Sequence, residues 1–381
     1  MKGFAKGPVA MRHSGIREIM NLTAGVPDVI HMEVGQPDFP TPEHVVAAAA
    51  QAGRDGYTRY TPSAGFLSLR ELVAAKLQRV NHFTVSPENI NVTAGGVNAI
   101  ALTLRALVEA GDEVLLPDPA WPNYEMMMSV IGCVPVRYPL DPSTGFLPDF
   151  AAMEKLVTSR TKVVLMNTPT NPTGTVFPKQ VVQDMVRFVE RHDLWLLSDE
   201  AYDEIVYEGE HFSAAPFNPE RVASVYTLSK TYAMCGWRVG YVAAPRELSE
   251  LINKLIEPDV SSASSISQKA AEAALAGPQD CVRAMCDSYR ERRDMAMQIL
   301  ATHDLLISKP QGAFYILVDI TRSGLDSYTF AERLAVEHKV AVAPGATFGP
   351  AGEKWVRVSL CTERSALTEG LRRLCEVLCD G

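Results

Sequence analysis

The sequence predicts an α/β fold: a mostly parallel central sheet flanked by helices, plus a smaller α+β part. From about Asn89 onward, short β-rich runs alternate with helical stretches, as parallel strands joined by helical crossovers do. After about Ala244 that alternation gives way to long helical stretches, interrupted by QGAFYILVDI at 311–320 and WVRVSL at 355–360, which reads as the smaller part. The 381 residues, 47% apolar and 21% charged, suit two or three domains with a large core.

In chain order, the turn-rich first 45 or so residues carry no strand–helix repeat of their own and are expected to pack with the second domain. The alternating part then runs NINVTA, a helix through Val108, EVLL, VPVRY, KVVLMN, a helix over Lys179–His192, LWLLS, ASVYTL and VGYVAA. The division this implies is a large domain over 46–280, with 1–45 and 281–381 forming the small one. In such sheets the ligand crevice lies beyond the C-terminal ends of the strands, so chemical residues are expected just after each one.

Composition removes several function classes. With 36 Lys+Arg against 45 Asp+Glu the formal charge is −9, without a basic cluster, so no electrostatic footprint for nucleic acid exists. The apolar run Val45–Ala50 spans six residues against the roughly 18 needed to cross a bilayer, so no membrane partner is expected. MKGFAKGPVAMRHSG lacks an apolar stretch followed by a small-residue cleavage site, which points to a cytoplasmic protein. Seven cysteines, an odd number without CxxC pairs, read as reduced thiols, and no metal is expected.

Four strand ends carry candidate chemistry. Thr93-Ala94-Gly95-Gly96 runs into a helix near Val97, which makes either a plain tight turn or a seat for an anion on free N–H groups. KVVLM ends at Asn167 and leads into TPTNPTG, whose prolines make a rigid turn that aims the Asn171 amide or simply closes a loop. LWLLS delivers Asp199 at the end of a strongly apolar strand, where a carboxylate needs a cationic partner, whether a protonated ring nitrogen or a structural arginine. ASVYTL is followed by Ser229 and Lys230, a lysine among aromatic and small residues, with Arg238 eight positions on. Partial burial beside that cation would favour a nucleophilic amine reactive toward an aldehyde, and the arginine fork could grip a phosphate.

The set TAGGVNAI, NTPTNPTG, SDEAYDEIVY and TLSKTYAMCGWRVGY resembles the class I/II aminotransferases, fold-type I enzymes of the aspartate aminotransferase superfamily that depend on pyridoxal 5′-phosphate. The likeness extends from SGIREIM and EVGQPDFPTPEHV, through RYTPSAGFLSLREL, to PGATFGPAGEKWVRVSL. It implies that Lys230 is the Schiff-base lysine and shuttles a proton between substrate Cα and cofactor C4′. It implies too that Asp199 keeps the pyridine nitrogen protonated, Asn171 and Tyr202 bond the phenolic oxygen, and Trp121 stacks on the ring. Gly95, Gly96, Val97, Thr227, Ser229 and Arg238 would surround the phosphate. Arg357, on an alternating apolar strand where an unpaired charge is costly, would bind the substrate α-carboxylate beside Gly35 and Asn171. Tyr60 would reach the neighbouring subunit's cofactor, implying a homodimer with shared sites.

Two positions depart from the family pattern. Cys235 stands where threonine is common, and Thr227 where serine is frequent. The implied reaction moves an amino group from an aromatic, aliphatic or aspartate-like L-amino acid to a 2-oxo acid. A cystathionine β-lyase-like elimination would use the same lysine, but VGQPDFPTP and VRVSL resemble aminotransferases more. A transcriptional regulator on this fold would need a DNA-binding module ahead of EVGQPDF, where only about 30 residues stand. A nicotinamide dehydrogenase would need a glycine fingerprint after a strand, and none is present.

Overall fold

The computed structural model describes residues 3–11 and 13–379. In chain order the strands are β1 (Ile30–His31), β2 (Ile90–Thr93), β3 (Glu113–Asp118), β4 (Val134–Asp141), β5 (Leu147–Pro148), β6 (Thr161–Asn167) and β7 (Trp195–Asp199). They continue with β8 (Val222–Thr227), β9 (Gly240–Ala243), β10 (Tyr315–Asp319), β11 (Val340–Ala341), β12 (Ala343–Pro344) and β13 (Trp355–Ser359). Eight of them form one sheet in the order β2-β9-β8-β7-β6-β3-β4-β5. Neighbours from β4 through β3, β6 and β7 to β8 are parallel, whereas β9 runs antiparallel to both β8 and β2, and β5 antiparallel to β4.

The central strands are buried on both faces, so they read as continuous apolar runs. Along β6, Val163 and Leu165 join the core that packs the helices Gly96–Leu107 and Arg246–Val260, while Val164 and Met166 join the opposite core with the helix Lys179–Arg191. Both predicted helices thus form, shifted by one residue from the expected ends. The helices Glu43–Arg54, Leu67–Val80 and Ser265–Ala276 cover that second face.

A third core packs one face of a three-stranded antiparallel sheet, β10-β13-β12, while Leu317, Ala343 and Trp355 on its other face join the core of Val164 and Met166; central Arg357 pairs with Leu317 on one side and Ala343 on the other. The helices Asp280–Thr302, Ser327–Glu337 and Arg364–Cys379 supply its apolar cover. The N-terminal segment joins this part, because β1 pairs in parallel with β11 and Gly15 N–H donates to Thr347 Oγ1 at 2.8 Å. All seven cysteines are free thiols. No helix among the described residues is long and apolar enough to cross a membrane.

What positions the site is the common direction of β2, β3, β6, β7 and β8, whose C-terminal ends all open on one edge. The antiparallel β9 is threaded between β2 and β8 at Gly240, which lies opposite both Thr93 and Thr227. A Cβ there would stand 2.7 Å from Gly96 N and 2.8 Å from Tyr226 O. Gly240→Ala is therefore expected to lower stability by about 1–3 kcal/mol through overpacking. Thermal unfolding checks this, and a wild-type melting temperature would contradict it.

Candidate active site

The strand ends converge on a cavity of about 520 Å³. After β2 the chain turns at Gly95 (φ 89°) and starts the 12-residue helix Gly96–Leu107, whose first N–H groups have no helical partner. Gly95 is required twice over, because its φ is left-handed and a Cβ would lie 2.5 Å from Arg238 Nη2. Across from it, Thr227 caps the short helix Leu228–Thr231, accepting from Ser229 N at 3.2 Å, and its hydroxyl lies 2.9 Å from Ser229 Oγ. Arg238, itself left-handed at φ 55°, donates to Cys235 O at 2.8 Å and Ala94 O at 3.4 Å. Two hydroxyls, a guanidinium and a helix N-terminus thus line the same cavity, a set of groups suited to a phosphate.

Asp199 ends β7, is 4% exposed, and accepts from Tyr124 Oη and from Ala201 N at 3.1 Å. Burial pushes its carboxyl up to about 6, against the Tyr124 and Ala201 donors and the charge of Lys230. Asn167 locks this corner, donating Nδ2 to Asp199 O at 2.9 Å while its Oδ1 accepts from Asn171 N at 2.8 Å. The prolines on either side of Asn171 both follow cis peptide bonds. Tyr202 packs beside it, its hydroxyl 2.9 Å from Tyr315 Oη, and burial raises its ionisation well above the ordinary phenol range.

The opposite wall comes from the smaller sheet. Arg357 on β13 is 1% exposed and donates to Asn171 Oδ1 at 2.9 Å and to Glu33 O. Its guanidinium lies 4.2 Å from the Tyr315 ring centre and 4.8 Å from that of Phe348, and its Nε has no partner. Among the described residues no carboxylate forms an ion pair with it, so a buried cation faces the cavity without an anion. Burial lowers its pKa from the ordinary guanidinium range. Lys230 Nζ donates to Gly35 O at 2.7 Å and lies 3.8 Å from Cys235 Sγ. Gly35 has no room for a side chain, since a Cβ would fall 1.9 Å from Tyr315 Oη.

Gly35, Gly96, Val97, Trp121, Asn171, Asp199, Tyr202, Thr227, Ser229, Lys230, Arg238 and Arg357 all line this cavity. Gly95 acts from behind, as the cap under Arg238. Tyr60 stands apart, 89% exposed at the protein surface. Arg238 was expected beside Lys230, but its hydrogen bonds go to the Gly95 corner; the lysine's near neighbours are Gly35 and Cys235. Sequence reasoning missed Tyr124, Asn167 and Tyr315, and also Ser14, Ile16, Arg17 and Met20, which bring the N-terminal helix Gly15–Leu22 to the cavity mouth. DPAWPNY carries Tyr124 three residues after Trp121, one helical turn away, and that spacing was the available signal.

The profile of the family described as Aminotransferase class I and II matches residues 27–374. The aspartate/prephenate aminotransferase of Thermus thermophilus is 37% identical, with 99% of each chain covered. Aromatic-amino-acid aminotransferase 2 of Thermococcus litoralis is 36% identical over 96% of this chain and 95% of its own. Among solved structures, Thermus thermophilus aspartate aminotransferase with maleate superposes with a TM-score of 0.94 at 37% identity, covering 99% of this chain and 100% of the other. The chain belongs to the class I and II aminotransferase family: it is a pyridoxal 5′-phosphate-dependent transaminase, and the β-lyase alternative lacks support.

The raised Asp199 fixes a sign. Its ionised form is the costly one, so in protein stripped of cofactor this residue costs nothing below its unfolded pKa near 3.8. It costs about 3 kcal/mol once pH exceeds about 6. Stripped Asp199→Asn is expected to be more stable than stripped wild type at pH 8 by about that amount, the gap closing towards pH 4. Denaturant unfolding across pH measures it, and a pH-independent gap would contradict it.

Proposed function

We propose that this transaminase moves the amino group of an L-amino acid with an aromatic, aliphatic or aspartate-like side chain to a 2-oxo acid, with Lys230 handling the proton at the donor Cα. The observation that carries this reading is the shared cavity of the Lys230 amine and the buried, unpaired Arg357 guanidinium. An α-amino acid offers the matching pair, an anionic carboxylate one bond away from the carbon that must lose its proton. Relatives named for aspartate and prephenate and for aromatic amino acids support the aspartate-like and aromatic donor classes.

The donor set fits the cofactor. Gly96 and Val97 N–H groups, held by the Gly95 turn, would hold the phosphate together with Thr227, Ser229 and Arg238. Asp199, an acid raised by burial, would take the ring nitrogen. Tyr202 and Asn171 would bond the phenolic oxygen, and Trp121 would cover the ring. When bound, pyridoxal 5′-phosphate supplies an aldehyde for amine capture and a ring that accepts carbanion charge.

The chain's own groups do the rest. Arg357 clamps the donor carboxylate, and its bond to Asn171 ties that clamp to the cofactor side of the cavity. Its two-pronged grip fixes which bond at Cα faces Lys230. Lys230 Nζ, steered by Gly35 O, removes the Cα proton as a general base. The hydroxyl pair Tyr202–Tyr315 and the Gly35 backbone fill space that water would otherwise take.

The same reading makes residues 46–280 the cofactor-binding domain, and 1–45 with 281–381 the domain that brings Arg357; residues 1–2, 12 and 380–381 lie outside the described part. The two separate sheets, one of eight strands and one of three, support that division. The reading also makes the protein a homodimer in which Tyr60 reaches the partner subunit's cofactor phosphate, and its 89% exposure supports a role outside its own chain. Seven free thiols support a cytoplasmic location.

An absorbance spectrum of the loaded protein tests the reaction. A productive L-amino acid, added without 2-oxo acid, is expected to abolish the long-wavelength cofactor band, and a 2-oxo acid to restore it; a band unmoved by every donor contradicts the reading. Arg357→Ala is expected to lower kcat/KM about a hundredfold, the cost of stranding a charged partner, with the band itself intact. For the dimer, analytical ultracentrifugation is expected to give twice the 41.6 kDa chain mass, and Tyr60→Phe to weaken cofactor binding without changing that mass. A monomer with full activity contradicts shared sites.

A further inference from the structure

Asp199 and its neighbour Glu200 are both buried, and successive positions along β7 face opposite cores, Leu196 one and Leu197 the other. Behind the cavity wall, Glu200 Oε1 accepts from Ser198 Oγ at 2.9 Å and Ser224 Oγ at 3.0 Å. Its Oε2 accepts from Ser213 Oγ and from Tyr226 Oη at 3.0 Å, and lies 2.9 Å from His211 Nε2. The cage continues through Asn81, whose Nδ2 reaches both Ser213 Oγ and Asp203 Oδ2 at 3.0 Å, to Lys76, 3% exposed and paired with Asp203. Burial alone would raise the Glu200 carboxyl; His211 and the hydroxyl donors outweigh it and hold the group below the ordinary range.

Such a cluster is a poor way to fill a core, because apolar side chains of the same volume are often neutral or stabilising by comparison. None of the established chemistry uses Glu200. What distinguishes it is place: it is a solvent-free carboxylate, one residue behind the group that faces the ring nitrogen.

We propose that Glu200 is a positioning residue for the ring-nitrogen chemistry of Asp199, a fixed negative charge that keeps the pyridine nitrogen of the bound cofactor protonated. In a poorly screened interior a nearby negative charge favours the protonated form of any base it faces. The proposal rests on the assignment of Asp199 to that nitrogen. The donor cage, with its tie to Lys76 through Asn81 and Asp203, keeps Glu200 from turning away or taking up a proton.

The test loads the full chain with pyridoxal 5′-phosphate labelled with ¹⁵N at the pyridine nitrogen and reads that nitrogen's chemical shift, together with the cofactor Kd of stripped protein by fluorescence titration. Glu200→Gln leaves shape and most partners in place; the hydroxyls rotate, and His211, whose buried Nδ1 has no partner, can carry its proton on either nitrogen. The expected result is a resonance displaced towards the unprotonated position and a Kd raised about tenfold. Glu200→Asp, which restores the charge, is expected to return the resonance to the protonated side. A wild-type shift in Glu200→Gln overturns the proposal, as does an equal displacement in Glu200→Asp, which would make the role one of shape. Should Glu200→Gln not fold, Ser213→Ala/Ser224→Ala takes its place: it strips one donor from each oxygen and favours neutral Glu200, so an unmoved resonance there also overturns the proposal. Asp199→Asn separates the two claims, since an unmoved resonance in that variant removes the Asp199 assignment itself.

Discussion

A carboxylate buried at the C-terminal end of an apolar strand is the constraint on which this site is built. Asp199 cannot sit at the end of β7 without compensation, and the surrounding chain is arranged to give only part of it: one tyrosine hydroxyl, one backbone N–H and the distant charge of Lys230. The incomplete compensation has a chemical use, because it leaves an acid that binds a protonated nitrogen far more readily than a solvated one would. Parallel strands bring the remaining groups to the same edge, so the glycine turn after β2, the asparagine pair after β6 and the lysine after β8 need only short turns to reach it.

Arg357 poses the complementary problem from the other sheet. Among the described residues this buried guanidinium bonds to an amide oxygen and a carbonyl, with its Nε unpartnered, and a buried charge left without an ion-pair partner is costly. Its link to Asn171 crosses between the two sheets, so the two parts of the chain are connected by a hydrogen bond as well as by packing. The aromatic floor of Tyr202, Phe314 and Tyr315 lies at that junction, with ring centres 5.0–5.8 Å apart.

The parts of this account that depend on local order along the chain were legible in the sequence. The apolar runs KVVLMN, LWLLS, which leads into Asp199, and ASVYTL, which leads into Ser229 and Lys230, mark the strands, and the odd placement of Lys230 and Arg357 among apolar neighbours marks the charges. What depends on long-range approach was not legible. Tyr315 reads simply as one residue of an apolar strand, and only the meeting of two sheets puts its hydroxyl on Tyr202 and against Gly35. Tyr124 follows no apolar strand run of the kind that marks the other site residues, and its bond to Asp199 closes across 75 residues of sequence. The reversed direction of β9 was equally hidden, since an apolar run looks the same in either sense. Tyr60 is the opposite case: the motif singled it out, while its own chain leaves it at the surface.

The most direct test of the central claim is chemical. Borohydride reduction of the loaded protein, followed by proteolysis and mass spectrometry, records which side chain carries the cofactor. The expected result is a single modified peptide, the one bearing Lys230, and none in Lys230→Ala. Cofactor mass on another lysine, or on none, would contradict it.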